Sequence, residues 1–79
     1  MNTMTRNEMI DFIRENPNVP ITHWLFSANE YIYSKENGKV YDEDGHLFED
    51  WHSPNDIRGW NGIRARIGDD WEDGWHIKE

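Results

Sequence analysis

Apolar residues recur with helical spacing near the start of the chain and with a period of two through its middle, which predicts a helix followed by strands. Met9, Ile10, Phe12 and Ile13 form one broad apolar face with Asp11, Arg14 and Glu15 largely opposite, so this helix should lie on something flat. Thr5-Arg6-Asn7-Glu8 fits a capping box, in which the Thr5 hydroxyl accepts from the Glu8 amide and the Glu8 carboxylate accepts from the Thr5 amide. Met4 and Met9 occupy the two positions of a hydrophobic staple. Pro17 ends the helix near Asn16.

After a PNVP turn the period changes. ITHWLF at 21–26 is rich in β-branched and aromatic residues and predicts a strand, broken at Ser27-Ala28-Asn29. EYIYSKE and KVYDE flank Asn37-Gly38, a pair that tolerates positive φ at both positions and suits a two-residue type I′ hairpin; Asp44-Gly45 repeats the signal. Counting outward from both turns pairs Ser34 with Tyr41 and Tyr41 with Phe48. Those three then share one face, while Tyr31, Tyr33, Val40 and Leu47 share the other. Both faces are mixed, and the pattern leaves either one free to face the core.

WHSPNDIRGWNG at 51–62 carries Pro, Asn and Gly at loop spacing and predicts irregular structure. IRARI at 63–67 alternates strictly, predicting a one-sided strand with Arg64 and Arg66 together on its polar face. WHIKE predicts a last strand anchored by Trp75 and Ile77, whose burial would contribute roughly 2 to 3 kcal/mol each. The expected architecture is α+β: one N-terminal amphipathic helix packed on an antiparallel β-sheet of about five strands, in a single small domain spanning residues 1–79.

Composition sharpens this picture. The mean hydropathy of −1.03 is that of a very polar chain, yet aromatics reach 14% and five residues are Trp, so aromatics must carry much of the core. With 79 residues there is room for one compact core, and with no cysteine neither a disulfide nor a thiolate metal site can staple it. Eight Lys and Arg against sixteen Asp and Glu give a net charge of −8, which argues against a nucleic-acid backbone or an anionic membrane as partner. A basic partner is the natural complement. No segment has the pattern of a signal peptide or a membrane span, so the protein should be soluble and made where it acts.

The residues that could carry chemistry argue for binding. YDEDG resembles the opening of a calcium loop, but with Gly45 in the turn position the first ligand would be Val40 and the last Trp51, which fails at both ends. His23, His46, His52 and His76 lack zinc-site spacing, so no metal or other cofactor is expected. There is no Cys nucleophile or GxSxG elbow, and so small a domain can hardly dry a carboxylate for acid-base work; the chain is expected not to be an enzyme. Trp24, Trp51, Trp60, Trp71 and Trp75 are too many for one small core, because each buries about 200 Å² and its indole N–H still needs a partner. A nucleotide stacked on tryptophan and held at its phosphate by arginine would use the surplus aromatics and the basic strand face together.

An opening helix, the V-x-I-T-H segment from Val19 to His23 followed by Trp24, the hairpin EYIYSKENGKVYDEDG and the closing W-x-x-G-W-x-I-x-E from Trp71 to Glu79 together are similar to small proteins encoded by tailed bacteriophages. More loosely the chain resembles the Thoeris anti-defence two-like family, through Thr22-His23-Trp24 early and Gly74-Trp75-His76-Ile77 late. It departs from that family in having His23 as the basic residue before the early tryptophan, and in carrying Gly59-Trp60-Asn61-Gly62 late. The resemblance implies a small oligomeric sponge that sequesters a cyclic or nucleotide-derived immune signal in the cytoplasm of an infected bacterial host.

Two functions therefore stand as expectations. In the first, a homo-oligomer binds a small nucleotide-type ligand through Trp24, Trp60 and Trp75 as stackers, Arg64 and Arg66 for phosphate and Asn61 for a base or ribose edge. In the second, an acidic inhibitor mimics nucleic acid and docks Asp42, Glu43, Asp44, Glu49 and Asp50 on a basic surface of a host protein.

Overall fold

The computed structural model describes residues 3–48 and 60–79, with Trp60 described by its backbone alone. Helix α1 spans Arg6–Glu15, followed by strands β1 (Ile21–His23), β2 (Ile32–Ser34) and β3 (Val40–Asp42), helix α2 (Trp60–Ile67) and strand β4 (Trp75–Ile77). The strands form one antiparallel sheet in the order β3-β2-β1-β4. The class is α+β, with four strands among the described residues where the pattern predicted about five.

Helix α1 forms as its sequence predicts. The Thr5 side chain accepts from the Glu8 amide at 3.3 Å while the Glu8 carboxylate accepts from the Thr5 amide at 2.9 Å, completing the capping box. Met9 and Ile13 are fully buried and Met4, Ile10 and Phe12 pack around them. At the other end Pro17 has no N–H, so the carbonyl of Ile13 loses its usual partner four residues on. The buried Ser34 hydroxyl replaces it, donating to the Ile13 carbonyl at 2.5 Å. The residue that stops the helix thus creates the acceptor that ties α1 to β2.

Segment 63–67 is the largest departure from the pattern. It belongs to α2, in which Ile63 and Ile67 lie one turn apart and are both buried, while Ala65 is exposed. Ala and Arg are strong helix formers, and Gly68, at φ +72° with its amide donating to the Arg64 carbonyl at 2.8 Å, closes the helix as a left-handed cap. Asn61 and Gly62, expected in a loop, lie in the first turn. A Cβ on Gly62 would stand 2.8 Å from the Phe48 ring, so glycine there lets that ring lie against the helix.

The hairpin registers also differ from expectation by one residue. Glu36, Asn37 and Gly38 form the turn between Lys35 and Lys39, with Gly38 alone at positive φ; Asn37 instead uses its side-chain oxygen to accept from the Lys39 amide at 2.9 Å. The next turn repeats the device, since Asp42 accepts from the amides of Asp44 and His46 at 2.9 and 3.0 Å and Gly45 has φ +79°. Ser34 therefore faces Val40, and Tyr41 faces Tyr33 and Leu47. A one-residue slip exchanges the faces of a strand, so Ser34, Val40 and Phe48 are buried, whereas Tyr33 and Tyr41 stack at 6.0 Å on the opposite face.

The first strand is shorter than ITHWLF suggests. It stops at His23 because the Phe26 amide turns back to the His23 carbonyl at 3.0 Å, leaving Trp24 and Leu25 exposed in the turn. At the chain's end Trp75 is fully buried as expected, but Ile77 is 46% exposed. One core gathers Met9 and Ile13 from α1, Ile63 and Ile67 from α2, and Ile21, Ile32, Val40 and Trp75 from the sheet.

Ser34→Ala should lower the unfolding free energy by about 1 to 3 kcal/mol in urea titrations, because it leaves the Ile13 carbonyl buried without its donor.

Candidate functional site

The predicted nucleotide-binding residues occupy different environments. Trp75 is wholly buried, and its indole N–H donates to the Trp71 carbonyl at 2.8 Å. Arg64 and Arg66, expected on one strand face, diverge because two residues along a helix correspond to about 200° of rotation. Arg64 is half-exposed, pairs with Asp69 at 3.4 Å and lies 5.5 Å from the centre of the Trp71 ring. Arg66 points into a cage of carboxylates, 2.7 Å from Glu30, 2.9 Å from Glu43 and 3.8 Å from Asp42. Asn61 is exposed, and Trp24 is 63% exposed. Trp75 in the core, Arg66 among carboxylates and the exposed Trp24, Asn61 and Arg64 form no common pocket; the Trp60 side chain lies outside the described residues.

The acidic hairpin is divided as well. Asp42 and Glu43 are largely buried against Arg66, Asp44 is exposed, and Glu49 and Asp50 lie outside the described residues. Burial alone would raise Glu30, but hydrogen bonds from Ser27 and the nearby Arg66 outweigh it and hold this carboxyl below its ordinary value. Burial would likewise lower Arg66, and the three carboxylates overcome it and push the guanidinium upward. Asp42, Asp44 and His46 bring potential ligand atoms within 4.8 Å of one another; one Asp42 oxygen accepts the two turn amides and the other faces Arg66.

What the fold does assemble is a surface centred on Trp24. On one side of this residue lies an open groove of about 760 Å³ whose walls include Met4, Phe26, His76 and Ile77. On the other lies a smaller cleft of about 270 Å³ between the Trp24–Leu25 turn and a loop carrying Asp69, Asp70, Glu72 and Asp73. Leu25 is 52% exposed, so two large apolar side chains project together beside the loop. Asp69 and Glu72 form surface ion pairs with Arg64 and Arg6, while Asp70 and Asp73 make no ion pair among the described residues. Four carboxylates against two guanidiniums leave this edge negative.

His23 lies beneath that surface, 3% exposed, with both ring nitrogens in use. The Leu25 amide can only donate, so Nδ1 accepts from it at 3.1 Å; the Asp73 carbonyl can only accept, so Nε2 carries the proton donated to it at 2.6 Å. This is the neutral Nε2–H tautomer. Burial holds the imidazole below its ordinary pKa of 6.5, with the Asp73 hydrogen bond opposing and His76 assisting. Against the ring stand Trp75, edge-on at 4.7 Å, and the α-carbon of Gly74, where a Cβ would lie 3.1 Å from Nε2.

The sequence exposed Trp24 to view as a surplus tryptophan but gave no sign that the 69–73 loop would lie beside it. The legible signal was the run Trp24-Leu25-Phe26, three apolar residues in succession that no period-two strand could place on one face.

Arg66→Gln should destabilise the fold by about 1 to 3 kcal/mol, since it leaves Glu30, Asp42 and Glu43 facing one another without their cation. Raised salt should recover part of that loss in urea titrations. Stability should also depend on pH in two stages. A depressed folded-state pKa makes the unfolded chain the better proton acceptor, so the contribution of His23 is complete above 6.5 and is lost as pH falls below it, and that of Glu30 is lost below 4.5. Urea midpoints from neutral to acid pH should show both declines, and His23→Gln should lack the first.

In comparisons with known protein families, curated proteins and solved structures, the chain matches none of them.

Proposed function

We propose that this chain is a non-catalytic binding protein that docks a basic, partly apolar segment of another protein on the Trp24 surface. The observation that carries this reading is the juxtaposition of Trp24 and Leu25, both more than half exposed, with the carboxylates of Asp69, Asp70, Glu72 and Asp73. Leaving an indole and an isobutyl group in water has a free-energy cost that the core does not require, and apolar patches rimmed by charge mark protein-binding surfaces. Tryptophan is one of the residues in which the energetic centres of such patches are enriched. The adjoining groove has room for apolar side chains of the partner, while the acidic cleft favours Lys or Arg.

This is the acidic-inhibitor reading with its contact surface moved from the hairpin to the 69–73 loop. The hairpin acids Asp42 and Glu43 already have a cation in Arg66, so they attract an external one weakly. The phage setting implied by the sequence resemblance would make the partner a basic host protein, met in the bacterial cytoplasm. A nucleotide is a poorer occupant of the same place, because its phosphates would approach four carboxylates.

Calorimetric titration with a synthetic amphipathic Lys/Leu peptide and with a panel of cyclic and linear nucleotides tests the proposal. Peptide binding should weaken steeply with salt and lose about 2 kcal/mol or more in Trp24→Ala. Asp70→Asn with Asp73→Asn should reduce both the affinity and its salt dependence. Binding of a nucleotide with no response to the peptide would restore the sequestration reading, and binding of neither would refute the docking surface.

A further inference from the structure

The two walls of the cleft meet at His23: the Trp24 ring lies against Gly74, strand pairing sets His23 opposite Trp75, and the imidazole bonds to both walls. The Trp24–Leu25 turn is held by the Leu25 amide donating to His23 Nδ1, and the acidic loop is held by His23 Nε2–H donating to the Asp73 carbonyl. Besides the Phe26 amide bond to the His23 carbonyl and the β1–β4 ladder that reaches His23, the Leu25 amide has the His23 ring as its partner. The imidazole therefore fixes where the Leu25 amide stands relative to the Asp73 peptide group, and with it the apolar corner beside the carboxylates. We infer that His23 is a proton-operated clip, so that the docking surface is formed while the imidazole is neutral and comes apart when it is protonated. This inference rests on the docking reading for its consequence, but the clip itself is a property of the free protein.

Protonation places a second hydrogen on Nδ1, which then points at the Leu25 N–H across 3.1 Å. Two donors cannot share that distance, so the amide must leave and the Leu25 corner of the turn is released, while the Phe26 amide bond to the His23 carbonyl stays. The Nε2–H bond to Asp73 survives and strengthens with the added charge, so the acidic loop stays attached while the apolar wall moves. The groups that face the ring determine how readily this happens. From β4 the edge of Trp75 offers no compensating charge, and His76 disfavours a second cation. From the loop, Asp70 and Asp73 favour it, and from the turn the Phe26 ring adds only apolar surface. Burial of the ring outweighs the two carboxylates, which places the transition on the acid side of neutrality.

Two measurements decide the matter. In the free protein, NMR across about pH 8 to about pH 5 should show the Leu25 amide losing its hydrogen-exchange protection and shifting in step with the His23 ring, while the Gly74 amide, on the Asp73 peptide group, shifts little. A Leu25 amide that stays protected after His23 has titrated would overturn the clip, whether or not any ligand binds. For the bound state, affinity for the Lys/Leu peptide should fall about tenfold over the same range, equivalent to one unit of pKa coupling, and the fall should shrink to less than about twofold in His23→Gln, which cannot titrate. An equal fall in both proteins would assign the pH dependence to the carboxylates and overturn the regulatory role. If the peptide binds at no pH, the docking reading fails and the Leu25 amide alone decides whether the clip exists.

Discussion

The structure depends on how Trp75 is held. It is the largest fully buried side chain among the described residues, and its polar and aromatic requirements are met by several segments. Its backbone pairs with His23 on one side and with Met4 on the other, its indole N–H reaches the Trp71 carbonyl, and its ring meets His23 and Phe26 edge-on. One residue near the C-terminus thus joins the segment before α1, strand β1, the turn that follows it and the acidic loop. In a chain whose mean hydropathy is −1.03, a core of short aliphatic residues could not supply this many simultaneous contacts. The surplus of tryptophan is partly a structural necessity, which leaves Trp24 as the clear exception among the described tryptophan side chains.

Charge follows the same logic of assignment. Arg66 lies over the rings of Phe26 and Phe48 and gathers Glu30, Asp42 and Glu43, so a single cation bridges α2, the segment before β2 and the turn after β3. Asp42 and Glu43, in the most acidic run of the sequence, are occupied in the fold. The acids of the 69–73 loop, diluted in sequence by Trp71, face solvent beside the exposed Trp24. Net charge alone could say that a basic partner was suitable; only the folded arrangement says which carboxylates are free to meet it.

How much the sequence revealed depended on the range of the interaction concerned. The capping box at Thr5 and Glu8 and the stop at Pro17 involve residues within a few positions of one another, and each was legible. The turns at Asn37-Gly38 and Asp44-Gly45 were legible as turns, but their length was set by side-chain caps from Asn37 and Asp42, and that one residue decided which face of β3 became core. IRARI satisfied two periods at once, since isoleucines four apart also share a helix face; the cap at Gly68 was the local signal that favoured the helix. The candidate site was the least legible because it joins residues 23–25 to residues 69–73. No local rule connects segments almost fifty positions apart.

That long-range closure gives the site its character. Beyond the end of the β1–β4 ladder at His23 and Trp75, the cleft is one turn and one loop, so its geometry depends on the contacts that cross it. One such contact is the Trp24 ring on Gly74; another is an imidazole whose two nitrogens have opposite hydrogen-bonding roles, which a Gln amide reproduces in donors and acceptors but without a titrating proton. Packing explains why a histidine is well accommodated there: the ring fills the space against Trp75, and Gly74 allows the backbone to approach Nε2 closely. Strand pairing fixes His23 opposite Trp75, so the residue that closes the core also positions the one that closes the cleft. Stability of the fold and shape of the docking surface are therefore coupled through a single pair of rings, and a change that loosens Trp75 should be felt at Trp24 before the domain unfolds.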